Sequence, residues 1–158
     1  MTRQQAQRPM RRAFAALALV LALVVMGAVA ACSASAERLT GTTWQLSSVT
    51  EKVPAFQAVV PPEDQSRYTV TFNEDGSAAI KADCNNVAAT YTTEETKITI
   101  APGPSTLAAC PDDSLGDKFV VWLSGATSYN ISPAGRVGPG GLTLYILNEG
   151  QLEFVAAT

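Results

Sequence analysis

Over residues 68–72 apolar Tyr68, Val70 and Phe72 alternate with Thr69 and Thr71, the period of two of a half-buried strand. Asn73, Glu74, Asp75 and Gly76 follow as turn residues, and Gly76 is free to take the positive φ that a tight reversal needs. Ala78, Ile80 and Ala82 then alternate with Ala79, Lys81 and Asp83, so the stretch is predicted to be a β-hairpin. It delivers Cys84 to its far end, ahead of Asn85 and Asn86, two residues that tolerate left-handed backbone.

The pattern on either side predicts more strands. Residues 39–49 form a first strand with Trp44 and Leu46 on one face, the indole serving as core. Residues 51–65 carry Pro54, Pro61 and Pro62 and are predicted to be an irregular excursion. Beyond the hairpin, residues 87–91 make a short strand, 92–96 a turn, and 97–100 a strand with Ile98 and Ile100 inward. Pro102 and Pro104 break that strand, and residues 105–110 form another that carries Cys110 towards the hairpin. Pro111, Asp112, Asp113 and Ser114 mark a helix entrance, because early acids complement the positive end of the helix dipole. Leu115, Phe119, Trp122 and Leu123 fall on one helical face, and Gly125 stops the helix, whose expected job is to cover an open end or edge of the sheet. Residues 127–131 return to strand, 133–141 form a glycine- and proline-rich loop, and 142–147 and 151–155 flank a turn at 148–150. The fold class is therefore mainly β with one covering α-helix.

The first residues belong to a different grammar. Arg3, Arg8, Arg11 and Arg12 precede an apolar run from residue 13 to residue 31, the layout of a secretory signal. That run is nearly as long as the roughly 20 residues that span a bilayer, so an uncleaved anchor is the alternative. Val29, Ala30, Ala31 and Cys32 resemble the lipobox of bacterial lipoproteins, with Val29 where Leu is usual. On that reading residues 1–31 are a cleaved signal peptide and Cys32 is lipidated. Residues 32–38 are then a short tether, and 39–158 the folded domain. Ordinary cleavage after Ala30 would instead leave Cys32 a free thiol. Arg11 and Arg12 also resemble a twin-arginine signal, but the very apolar core after them suits the general secretory route.

Charge and cysteine count follow the same division. Seven of the 11 basic residues and all 14 acids lie after residue 32, so the exported part carries a net charge of −7. That argues against nucleic acid as a partner. With Cys32 taken by lipid, Cys84 and Cys110 remain as an even pair in an oxidising compartment, where disulfides persist. Two buried free thiols are the other reading.

The chain has no histidine, which removes the commonest general base and zinc ligand. The adjacent acids Glu74 and Asp75, Glu94 and Glu95, and Asp112 and Asp113 sit at predicted turns or the helix entrance, where acids serve the local backbone. Asp112, Asp113 and Asp117 lack the oxygen-ligand spacing of a calcium loop, and no cofactor or metal is expected. Asp83, Asn85 and Asn86 beside Cys84 are the one cluster that could form the rim of a small polar-ligand site; satisfying turn backbone beside a disulfide is the competing role.

Gly41, Trp44 and Leu46, then Phe72, Gly76, Cys84 and Asn85, Tyr91, Ile98 and Ile100 open an ordered set of features. Thr106 to Cys110, Phe119 to Leu123, Leu142 to Leu147, and Gly150, Leu152 and Phe154 complete it. In that order they resemble the META domain, or HslJ-like, family over roughly residues 39–155. The resemblance implies a small antiparallel β-barrel with a helix, in exported or lipid-anchored bacterial proteins linked to heat and envelope stress. The family usually has Gly before its Cys-Asn pair, where this chain has Asp83. The expected protein is thus a non-enzymatic, lipid-anchored envelope protein with its domain outside the cytoplasm, acting by binding in envelope maintenance or stress. Its partners are the membrane, through Cys32, and a ligand or protein that the sequence does not name. A small barrel holding a polar or apolar ligand, or a carboxylate-dependent hydrolase, are the alternatives.

Overall fold

The computed structural model describes residues 39–132, 140–147 and 150–157. The leader, Cys32 and the tether through Arg38 lie outside these residues, as does most of the glycine-rich loop. Among the described residues, nine strands and one α-helix follow in order: β1 Thr43–Lys52, β2 Ala55–Val59, β3 Tyr68–Phe72, β4 Ser77–Ala82, β5 Asn85–Glu94, β6 Lys97–Ser105, α1 Gly116–Ser124, β7 Ala126–Ser132, β8 Gly141–Ile146 and β9 Gly150–Ala156. Neighbours are antiparallel, and β9 returns to pair with β1 from Trp44 opposite Ala156 to Thr50 opposite Gln151. The nine-strand sheet therefore closes nearly into a ring. The seam is β6 to β7, where the register has a single pair, Lys97 opposite Ser128. The helix lies against β6, β4 and β8 and drives Phe119, Trp122 and Leu123 into the core.

The alternation read from the sequence maps onto burial. Tyr68, Val70, Phe72, Ala78, Ile80 and Ala82 all face the core, and Gly76 takes φ 82° in the turn between them. In β1 the buried residues are Trp44, Leu46 and Val49, because a bulge between Leu46 and Ser48 shifts the period by one. The Trp44 indole donates from Nε1 to the Leu39 carbonyl at 3.1 Å, so its polar atom is satisfied where it is buried. Every buried side chain of the core is apolar among the described residues. The interior of the ring is thus packed by side chains, as small barrels are.

Four segments differ from the sequence expectation, each for a physical reason. The 51–65 excursion is largely regular: β1 runs on to Lys52, the chain reverses at Val53 and Pro54, and β2 pairs back onto it. Its prolines stand outside the paired stretch, and β3 continues the same edge of β1 further along, with Thr43 opposite Thr71. Residues 92–96 are not all turn, since β5 extends to Glu94 and only Glu95 and Thr96 reverse the chain. Pro102 and Pro104 do not break β6. That part of the strand pairs with β5 alone, Pro102 standing opposite Ala89, and Pro104 falls at the bulge where the register shifts between Val87 and Ala89, both places where proline is tolerated. Finally, residues 106–110 are not a strand but an irregular connection in which Leu107 is 97% exposed.

Candidate functional site

The residues singled out beside Cys84 meet where β4 ends, β5 begins and the connection to α1 passes. Ala82 pairs with Asn85, which leaves Asp83 and Cys84 as a two-residue loop. Asp83 is its left-handed residue, with φ 61°; Asn85 and Asn86 already belong to β5 and do not take that role. A positive φ at the first loop position favours Gly, because a Cβ there is crowded.

Asp83 has compensation. Arg67 donates from Nε to Asp83 Oδ1 at 2.8 Å and from Nη2 to Oδ2 at 2.9 Å, a two-pronged ion pair, while Asp83 N donates to Arg67 O at 2.7 Å. The Asp83 side chain is only 7% exposed, against 33% for Arg67. The guanidinium holds the carboxyl below its usual range, with burial opposing and a hydrogen bond from Ser114 assisting. Arg67 also reaches Asp64 Oδ1 at 3.3 Å, and these two carboxylates keep the guanidinium firmly charged.

Cys84 and Cys110 form a disulfide across a Cα separation of 5.6 Å. Asn85 staples the connection beside it. Its Oδ1 accepts from Ala108 N at 2.8 Å and from Thr106 Oγ1 at 2.9 Å, while Nδ2 donates to Ala108 O at 3.0 Å. The same Nδ2 lies 3.4 Å from Cys110 Sγ and 3.6 Å from Cys84 Sγ. Asn86 points the other way, its backbone N and O pairing with Thr106 Oγ1 and Thr106 N.

Among the described residues, hollows border this end of the ring and its walls. Asn85, Ala108, Cys110, Asp112, Ser114 and Asp117 line a recess of 340 Å³ beside the disulfide. A trough of 650 Å³ crosses the outer face of β3 to β5, floored by Thr71, Ala79 and Ala88 and flanked by Lys81 and Asn86. A groove of 410 Å³ lies between the β1–β2 hairpin and α1, where Phe56 stacks 5.6 Å from Trp122 and Lys118 Nζ sits 4.6 Å from the Phe56 ring. The sequence-selected residues are thus shared out: Asp83 is spent on Arg67, Asn85 on the disulfide connection, and Asn86 faces the trough. No three acids, cysteines or histidines converge on a metal-sized site among the described residues.

The sequence model of the META domain matches residues 37–158. The chain belongs to the META domain family. Two solved structures share the fold. One is an NMR structure of a protein from Burkholderia xenovorans, 22% identical with a TM-score of 0.60, covering 77% of this chain and 86% of that one. The other is a duf4847 family protein from Bacteroides vulgatus, 14% identical with a TM-score of 0.53, covering 75% and 94%. No curated protein matches.

Within this META domain, sequence reasoning passed over Arg67 and gave Thr106 and Ser114 other places, in the family pattern and the helix entrance, whereas all three anchor the selected cluster. One signal was there to read. Asp83 stands where the resemblance expects Gly, and a charged residue in a strained, crowded turn calls for a cation.

Proposed function

We propose that this META domain is exported, held at the membrane by lipid on Cys32, and works there by binding at its outer surface rather than by turnover. The observation that carries this is the lipobox-like Val29, Ala30, Ala31 and Cys32 behind a basic and apolar leader, ahead of a domain whose two remaining cysteines are bonded. An interior packed with apolar side chains leaves recognition to surface hollows such as the 650 Å³ trough. The placement of the acids agrees: Asp75 accepts from Ser77 N and Oγ in its turn, and Asp83 is neutralised by Arg67. An HslJ-like role in envelope maintenance or stress is the family-level form of the same reading.

Cys32→Ser tests it. The variant is expected to leave the membrane fraction or to accumulate with its leader uncut, whereas wild type stays bound, since stable attachment takes more than one acyl chain at about 0.8 kcal/mol per buried methylene. An intact mass with Cys32 unmodified in wild type refutes the anchor.

A further inference from the structure

We propose that the Cys84–Cys110 bond is a site of reversible thiol–disulfide exchange with an exported protein dithiol of the Cys-X-X-Cys class. Three observations carry it. First, the bond is reachable: Cys84 is exposed, Cys110 is half-buried, and the 340 Å³ recess opens beside Cys110. Leu107, 97% exposed and three residues before Cys110, offers an incoming protein an apolar contact on an irregular segment.

Second, the surroundings suit both redox states. The Asn85 amide donor stands 3.4 Å from Cys110 Sγ, a weak contact with a disulfide sulfur that becomes charge-assisted once that sulfur is a thiolate. Asp112 and Asp117 line the same recess and oppose a new negative charge, so stabilisation of the leaving sulfur rests on Asn85. The Ala108 carbonyl lies 3.5 Å from Cys84 Sγ, placed to accept from that thiol when it is reduced. Third, the bond is not the connection's sole hold: Asn85 binds Thr106 and Ala108 through three hydrogen bonds that do not involve sulfur. These hydrogen bonds are placed to keep the two thiols neighbours, ready to pair again.

The exchange proceeds in two displacements. A thiolate of the donor attacks Cys84 Sγ, the Cys84–Cys110 bond breaks, and its electron pair leaves on Cys110 Sγ, which then takes a proton from water. The donor's second thiolate attacks the mixed disulfide on the donor's own sulfur and releases Cys84 as a thiolate, which is protonated in turn. The donor is oxidised to its disulfide by two electrons, and the pair in this chain is reduced by the same two.

The test uses the full-length chain purified in detergent, with dithiothreitol and then a small Cys-X-X-Cys dithiol protein as probes. Alkylation followed by intact-mass measurement counts the thiols. Under native conditions two thiols more than in the unreduced chain are expected within minutes with either probe. The strand-type circular dichroism is retained, and the same bond returns when the reductant is replaced by the disulfide form of the dithiol protein, which takes the two electrons back. Thiols that appear only in denaturant overturn the proposal, and a bond that dithiothreitol opens but the dithiol protein does not overturns its partner. Asn85→Asp keeps an acceptor for Thr106 and Ala108 while replacing the donor by a negative charge, and is expected to slow native reduction about tenfold or more. A purely structural disulfide gives the opposite sign, since a loosened connection exposes it. The wild-type measurement decides the matter even where the variant fails to fold.

Discussion

Asp83 is where conformation and charge are traded against each other. Its positive φ would suit Gly, yet the carboxylate is 7% exposed and gripped at both oxygens by Arg67. Asp83→Ala loses the ion pair and keeps the strain, and is expected to cost about 3 kcal/mol; one-third exposure of Arg67 puts the ionic share near the low end of its range. Asp83→Gly loses the pair but relaxes the backbone, and Asp83→Asn keeps tolerance of the left-handed region, so both are expected to cost less, about 1–2 kcal/mol. Urea melts of the three variants rank them, and a Gly variant as weak as the Ala variant would show that strain contributes nothing. The pH dependence has a definite sign. The folded pKa of Asp83 lies below its unfolded value of about 3.9, so its contribution is full above roughly pH 5 and is lost as the pH falls through the folded value. The stability gap between wild type and Asp83→Asn is therefore expected to narrow on acidification below about pH 4. In sequence, the departure from Gly was legible, and the predicted hairpin brings Arg67 near Asp83; what alternation alone does not fix is the register, Tyr68 opposite Ala82, that sets the two side by side.

At the scale of elements, local periodicity was a good guide where both pattern and pairing agree, as in the β3–β4 hairpin and the Phe119, Trp122 and Leu123 face of α1. It failed where tertiary placement decides. Pro102 reads as a breaker and yet sits in β6, because only the ring's topology reveals that this stretch of β6 has a free side. Residues 105–110 read as a strand, but 106–110 are an irregular connection, tied down by Asn85, by the Asn86 backbone and by the disulfide. Gly116 is the most consequential residue that pattern did not mark. A Cβ there would stand 2.7 Å from the Ala82 carbonyl oxygen at the first residue of α1. Helix propensity favours Gly116→Ala by up to about 1 kcal/mol. The contact is with backbone, which cannot swing aside, so the start of α1 must lift off β4. Overpacking is expected to win, for a net loss of about 1–3 kcal/mol, read as an earlier denaturation midpoint with an unchanged slope. A midpoint that moves to higher denaturant would show that α1 adjusts freely, against the tight packing seen here.

For the whole molecule, the question is what secures the ring where its hydrogen bonding is thinnest. β6 and β7 share one register pair, and the helix that packs across this side is reached through the connection that Cys110 terminates. The disulfide joins that connection to the start of β5 with a sequence separation of 26, so it restrains an unfolded chain that would otherwise explore a wide loop. The chain-entropy model gives about 3.5 kcal/mol for a loop of this size, and reduction is expected to remove roughly 2–4 kcal/mol, several degrees in melting temperature. The loss should arise in the unfolded state, because Asn85 keeps Thr106 and Ala108 in place when the sulfurs part. Native circular dichroism should then be unchanged by reduction while the melt shifts down. Cys84→Ser should cost about as much as the double Cys84→Ser, Cys110→Ser change, since either removes the same bond. Thiol counting in denaturant without reductant fixes the reference: Cys84 and Cys110 both blocked from alkylation agrees with the bond, and both reactive rules it out. A native spectrum that collapses on reduction would mean that the bond, and not the asparagine staple, holds the connection, and would move its stabilisation into the folded state.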